Sequence, residues 1–188
     1  MKKHRLAFVD LETTGLNPFR HEVIEIGIVI AEHRADLFGK QFLELISEHT
    51  IQLLPEHIET ADPKGLEVNK YHTRDWSAAI SQREGLGKAG DILDGTIFIA
   101  QNVGFDWAFL QKAGNDHGID FDARVHYHKL DLASMVFGKL YHEPKLFKYS
   151  LREMTEYFDV KNADAHTALA DARATFEVCK KLLADERR

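Results

Sequence analysis

Apolar residues occur along this chain in short blocks at first and at helical spacing later. Arg5 to Glu12 reads as a strand, and Glu22 to Glu32 (EVIEIGIVIAE) as a second, β-branched and apolar. Leu37 to Ile46 reads as a third. The gaps between them are short, which suggests an antiparallel meander. From about Pro63 to Lys88 the pattern turns polar and helix-like, with Pro and Gly interruptions. Thr96 to Gln101 (TIFIAQ) is another short strand. Phe105 to Ala113 follows as a helix with Phe105, Phe109 and Leu110 on its buried face. Tyr127 to Leu130 reads as a last strand, running into a helix from Asp131 to Leu140. Ser150 to Phe158 reads as a further helix. Thr167 to Asp185 is the clearest helix of all. Thr167 suits its N-cap, and Leu169, Ala172, Phe176, Cys179 and Leu183 step by three or four to form one stripe.

Strands first, then strands alternating with helices, predict an α/β protein: a mixed central sheet, a three-strand antiparallel meander plus parallel strands, flanked by helices. There is no internal repeat, low-complexity block or obvious linker, and 188 residues suit one domain, residues 1–188. Hydrophobic residues at 44% and charged residues at 29% are ordinary for a globular protein. No apolar run reaches membrane-span length. Only Leu6 to Val9 follows the basic start before Asp10, too short for a signal h-region. The single cysteine, Cys179, has no internal partner and falls on the last helix's stripe, so a core thiol and a cytoplasmic location are expected. The net charge of −6 argues against a high-affinity, non-specific DNA coat. Metal ions and a local patch would have to supply any attraction for nucleic acid.

The chemistry concentrates in three places. In FVDLETTGL, Phe8 to Leu16, an apolar strand ends in Asp10 and Glu12. Alternate strand residues share a face, so these two carboxylates point the same way. A solvated strand end is the plain account of any isolated D-x-E. The turn Thr13-Thr14-Gly15 adds something, because small residues let the backbone approach a bound group. In Gln101-Asn-Val-Gly-Phe-Asp106 a strand ends and Asp106 enters the first turn of the next helix, where the helix dipole alone would favour an acid. In His166-Thr-Ala-Leu-Ala-Asp171, five residues rotate a helix by about 140°. The two side chains therefore cooperate only if His166 sits in the lead-in loop and Asp171 on the helix. The three segments offer four carboxylates and one histidine at element ends, and the carboxylates would repel one another unless cations joined them. Hard oxygen ligands suit Mg²⁺ or Mn²⁺. Two such ions roughly 4 Å apart clamp an in-line displacement at phosphorus, and a histidine can take the proton of the attacking water.

The ordered set D-x-E at the end of the first strand, N-x-x-F-D after a later strand and H-x4-D on the last helix resembles the DEDDh 3′→5′ exonucleases. That group includes ribonuclease T and the proofreading subunit of bacterial DNA polymerase III. The resemblance runs from Phe8 to about Leu183 and implies a ribonuclease H-like fold. It implies that Asp10, Glu12, Asp106 and Asp171 hold two metal ions, with His166 as general base, and that 5′-mononucleotides leave a free 3′ end of a single strand. By the same match, Thr13, Thr14 and Leu16 contact the terminal nucleotide, with Asn102 and Phe105 beside the second motif; Phe105 is equally a core candidate. Two positions depart from the pattern: Gln101 stands where members often carry His, and Thr167 follows the histidine. Neither removes a proposed ligand, and both bear on substrate preference. DNA is placed ahead of RNA, although no residue that would read the 2′-hydroxyl is located. A homodimer stays open. The chain ends soon after its last helix, so the docking tail of a dedicated polymerase subunit is not expected; a polymerase partner stays open but is not indicated.

Other patterns read as structural. Gly85-Leu-Gly-Lys-Ala-Gly90 fits G-x-G-x-x-G but does not follow a strand, so a flexible loop is expected. Tyr127-His-Lys-Leu-Asp131 fits Y-x3-D, the third motif of a sister group, but comes too early in the chain. His126, His128 and His142 lack a cysteine partner and a zinc spacing. Glu25, within a buried-looking strand, is either edge-exposed, the reading preferred here, or a partner of the site. Lys180, Lys181, Arg187 and Arg188 read as solvated, with a place along a nucleic-acid path as the alternative for Lys180 or Lys181. Two rivals remain beside the exonuclease: a non-catalytic module that holds a 3′ end, and a ribonuclease H-like endonuclease.

Overall fold

The apolar blocks build one sheet, and the computed structural model describes residues 4–162 and 167–184 of the chain around it. His166, Asp185, Arg187 and Arg188 lie outside the described residues. Strands β1 (Leu6–Thr13), β2 (Val23–Ala35) and β3 (Gln41–Gln52) are antiparallel neighbours, while β4 (Ile97–Ala100) and β5 (Lys129–Asp131) run parallel to β1 on its other side. The order is β3-β2-β1-β4-β5. The expected mixed sheet, a three-strand meander extended by parallel strands, is therefore present.

Seven helices connect and cover the strands among the described residues: α1 (Pro63–Val68), α2 (Gln82–Leu93), α3 (Val103–His117), α4 (Phe121–Arg124), α5 (Leu132–Leu140), α6 (Leu151–Tyr157) and α7 (Ala168–Ala184). They divide between the two faces. Ala7, Val9 and Leu11 of β1 pack with α2, α3 and α4. Leu6 and Phe8, on the alternate face, pack with α5, α6 and α7. Val23 to Ala31 of β2 is buried without a break, as expected of a strand covered on both sides. Phe8 meets Phe176 of α7 edge to face, with ring centroids 5.3 Å apart. Such a pair adds about 1 kcal/mol beyond its burial.

The pleat therefore decides where the acids go. Asp10 and Glu12 continue the Leu6 and Phe8 face, so they point toward α7. On β2 the same face carries Glu25, Gly27 and Val29. A methyl group on Gly27 would lie 2.1 Å from the Ala168 carbonyl carbon and 2.3 Å from the Leu169 nitrogen. The first turn of α7 thus rests directly on the β2 backbone, which only glycine allows.

Several sequence expectations need correction. The third strand begins at Gln41 rather than Leu37, because the Asp36 carboxylate accepts the Phe38 and Lys40 N–H groups, each at 2.9 Å, and closes a turn there. Leu37 and Phe38 are left exposed at its tip. Gly85 to Gly90 is not a loop but the interior of α2. Ser81 caps that helix by accepting the Glu84 N–H, and Leu86, Ala89 and Leu93 are buried along it. Gly85 is there for packing, since a Cβ would lie 2.1 Å from Leu53. On α3 the buried residues are Asp106, Phe109, Leu110 and Gly114, while Phe105 is half-buried. On α7 the buried stripe runs through Ala172, Phe176, Cys179 and Leu182, and Leu183 is exposed. Glu25 is 2% exposed, so its edge-exposed reading is wrong: β2 is an inner strand. Among the described residues, no helix is long and apolar enough to cross a membrane.

Gly27→Ala should destabilise the protein by about 3 kcal/mol, at the upper end of overpacking costs, because backbone and not a flexible side chain blocks the added methyl. Urea unfolding measures this, and an unchanged midpoint would show that α7 does not sit on β2 as described.

Candidate active site

Asp10 and Glu12 stand half-buried at the end of β1, with Asp171 from the first turn of α7 against them. One carboxylate oxygen from each of the three lies within 4.8 Å of the others. Of the third motif, Asp171 stands on the helix, as expected. The Thr167 carbonyl accepts the Asp171 N–H at 3.1 Å, as an N-cap residue's carbonyl does. Asn162 donates its side-chain amide to Asp171 Oδ1 at 2.6 Å and holds the carboxylate. His166 lies outside the described residues.

Asp106 flanks this trio. The parallel ladder pairs β1 with β4 only as far as Phe8 opposite Ile99. Beyond that point, Asp106 Oδ1 accepts the Leu11 N–H at 3.1 Å, so α3 is fastened to β1 between the two acids of the D-x-E motif. Asp106 is 5% exposed. Asp131 supports this arrangement from behind. Its carboxylate accepts the Val103 N–H at 3.1 Å and the Ser134 N–H at 2.7 Å, joining the starts of α3 and α5. That is the structural role expected for it, and Tyr127 is exposed.

The electrostatics follow from this crowding. Burial, then repulsion from Asp106, Asp171 and Glu12, holds the Asp10 carboxyl well above the usual carboxylate range. Burial and the charge of Asp171 push Glu12 up to about 7, with the Arg74 guanidinium pulling the other way. Asp106 is also pushed up to about 7, chiefly by burial, against the stabilising Leu11 N–H bond. Without a cation, these groups resist being charged together at neutral pH. A divalent ion with oxygen preference reverses that, and the donor set of Asp10, Glu12 and Asp171 fits one. Among the described residues, it is the one group of acids, histidines or cysteines close enough to hold a metal. His126 and His128 instead stack on Tyr127, at 4.5 and 3.9 Å between centroids, and His142 stacks on Tyr141 at 3.6 Å.

Beside the acids lies a pocket of about 320 Å³, lined among others by Glu12, Thr13, Leu16, Val68, Asn69 and Phe105. Leu16 is 78% exposed at its rim. The Thr13 hydroxyl donates to the Gly15 carbonyl at 2.7 Å, and the Asn69 side-chain amide donates to the Thr13 carbonyl at 2.9 Å. Thr14 is fully buried, and its hydroxyl accepts the Glu22 N–H at 2.9 Å, so it shapes the turn from within. Asn102 stands at the N-cap of α3, its carbonyl accepting the Phe105 N–H at 3.0 Å, and does not line the pocket. Gln101 donates to the Tyr149 carbonyl at 2.9 Å and ties the segment between α5 and α6 to the end of β4. Sequence reasoning missed Val68, Asn69, Asn162 and Arg74. They come from short, irregular stretches without a periodic signal, and only the Asp62-Pro63 start of α1 marks that wall of the pocket.

A family model for exonucleases, of the RNase T type, matches residues 7–179. The PolC-type DNA polymerase III of Caldanaerobacter subterraneus subsp. tengcongensis is 28% identical over 174 residues, which cover 93% of this chain and 11% of the relative. The 3′-5′ exonuclease DinG of Bacillus subtilis is 25% identical over 187 residues, 97% of this chain and 18% of the relative. The chain thus spans less than a fifth of the length of these two curated relatives. The E. coli exonuclease I–single-stranded DNA complex in its zinc-bound form superposes with a TM-score of 0.78 at 17% identity, over 100% of this chain and 42% of that one. This likeness identifies the fold as ribonuclease H-like.

The raised proton affinities carry a pH signature. Glu12 binds its proton up to about 7 in the folded chain but only to about 4.5 in the unfolded one. Between those values the folded state holds more protons, so stability falls as pH rises through the window. Thermal melts in chelator should show the melting temperature dropping across it. Mn²⁺ or Mg²⁺ should recover the loss, and Glu12→Gln should flatten the slope. An identical slope in Glu12→Gln would contradict this electrostatic account.

Proposed function

Because the chain belongs to the exonuclease family, we propose that it is a metal-dependent 3′→5′ exonuclease acting on single-stranded ends and releasing 5′-mononucleotides, with residues 1–188 as one catalytic domain. One observation carries the reading: three carboxylate oxygens, from Asp10, Glu12 and Asp171, converge within 4.8 Å beside a pocket large enough for a nucleoside. A fourth, from Asp106, is pinned alongside.

In this reading Asp10, Glu12, Asp106 and Asp171 hold two Mg²⁺ or Mn²⁺ ions. When bound, the ions supply charge neutralisation and Lewis acidity at the scissile phosphodiester. The residues of the chain do the rest. Asp106 and Asp171 keep their geometry through Leu11 and Asn162. Leu16, Val68 and Phe105 present apolar surface to the terminal nucleoside, and Thr13 and Gly15 bring the backbone close to its sugar. Phe105 on α3 suits stacking against a base, which is tolerant of sequence, and Leu16 at the rim offers an apolar contact beside it. His166, which precedes Asp171 in the H-x4-D motif, accepts the proton of the attacking water. As the water oxygen bonds to phosphorus, the bond from phosphorus to the penultimate nucleotide's 3′ oxygen breaks; that oxygen takes up a proton as the new 3′-hydroxyl, and the terminal nucleotide leaves with the phosphate on its 5′ oxygen. Support for a single-stranded DNA substrate comes from exonuclease I of the same fold, solved with a dT13 oligonucleotide.

A 3′-labelled and a 5′-labelled single strand distinguish the possible activities. With Mg²⁺ or Mn²⁺, the expected result is stepwise shortening from the 3′ end, abolished by chelator. Asp10→Ala and Asp171→Ala should each lower the rate by more than about a hundredfold, beyond the cost of losing a ligand's outer partner. His166→Ala should lower kcat by about 100- to 10,000-fold and remove the ionisation near neutrality from the pH–rate profile. Cleavage of a circular strand would instead indicate an endonuclease, and binding of the 3′ end without hydrolysis a non-catalytic module.

A further inference from the structure

Glu25 lies on β2 directly opposite Glu12 and faces the same way. This fifth acid beside the site, almost wholly buried, has no part in the chemistry above. Among the described residues its carboxylate has two partners, and both are donors. One is the Arg74 guanidinium, through Nη2. The other is the Ala168 N–H, at 2.9 Å to Oε2. Ala168 opens α7, and N–H groups in a helix's first turn have no partner within the helix. Gly27, two residues along the same strand face, lets that turn rest on the β2 backbone. Asp171 follows Ala168 in this same first turn.

We propose that Glu25 is a positioning residue: its carboxylate ties the first turn of α7 to β2 and so sets where Asp171 stands relative to Asp10 and Glu12. The inference rests on reading those three acids as a metal cage. A carboxylate is needed because it accepts twice. A glutamine offers one acceptor oxygen and turns an NH₂ group toward the second donor. Arg74 balances the buried charge and is itself fixed, its guanidinium carbon 5.0 Å from the centre of the Trp76 ring. The Trp76 indole in turn donates to the Tyr71 carbonyl at 2.7 Å. The irregular segment after α1 is thereby joined through one ion pair to the helix that carries Asp171.

Two measurements test this. In the unaltered protein, the Ala168 amide should exchange with solvent at least about a hundredfold more slowly than an unprotected amide, although first-turn amides are ordinarily free. The double variant Glu25→Leu/Arg74→Leu removes the tether while keeping the local charge balance, and apolar pairs often replace buried ion pairs without loss of stability. Calorimetric titration should show its Mn²⁺ affinity weakened at least about tenfold, and kcat should fall at least tenfold with KM within about twofold, as for loss of a metal ligand's support. A residue that only stabilised the fold would lower the melting temperature and leave these values alone in the folded protein. Should the double variant not fold, Glu25→Gln takes its place with the same expectations. Free exchange at Ala168, or wild-type Mn²⁺ affinity in the folded variant, would overturn the proposal. A wild-type protein that hydrolyses no nucleic acid would sink the exonuclease reading, while amide exchange and Mn²⁺ binding would still decide the role of Glu25.

Discussion

Repulsion between carboxylates held close together is the constraint on which the site depends. Two like charges within 4.8 Å of each other repel by about 3.5 kcal/mol or more at an effective dielectric near 20, and Asp10 faces several such neighbours at once. A protein gains nothing from that arrangement by itself. The rest of the structure nevertheless works to maintain it. Asp106 is bonded to the Leu11 peptide, Asp171 to Asn162, and the α7 terminus to Glu25. Each bond holds an acid, or the element that carries it, in a place it would leave if charge alone decided. A divalent cation turns the same crowding into attraction, which is why the cage and the family's chemistry point to one function.

The sheet makes this possible through its pleat. Leu6 and Phe8 bury themselves against α7, and the same alternation then delivers Asp10 and Glu12 to the edge of that apolar layer. β1 continues past the end of its pairing with β4, so the Leu11 N–H can donate to Asp106 of α3 instead. Gly27 lets the last helix come down on the strand at the level of the acids. The first and last elements of the chain thus meet at one point, and the pocket beside it opens onto the Thr13–Leu16 turn.

Much of this was legible in the chain. The meander, the parallel strands, the helix behind Asp106 and the helix beginning at Ala168 all follow from apolar period, and the D-x-E pattern placed both acids on one face. What was hidden had no period to reveal it. Gly85 to Gly90 looked like a loop because three glycines mask a helix, of which Gly85 is required by close packing against Leu53. Glu25 looked like an edge acid because its two partners lie 49 and 143 residues away. Val68 and Asn69 line the pocket from a six-residue helix and its C-cap, too short for any pattern. Local sequence carries strand faces and helix stripes, whereas cross-chain hydrogen bonds between buried polar groups leave no local mark.

The central claim is that this acidic cluster is a metal cage, and the most direct measurement is anomalous scattering from crystals of the protein soaked in Mn²⁺. The account predicts manganese peaks bounded by the carboxylates of Asp10, Glu12 and Asp171, with Asp106 alongside. Ordered carboxylates at this place with no peak at saturating Mn²⁺, or manganese bound only elsewhere, would contradict it.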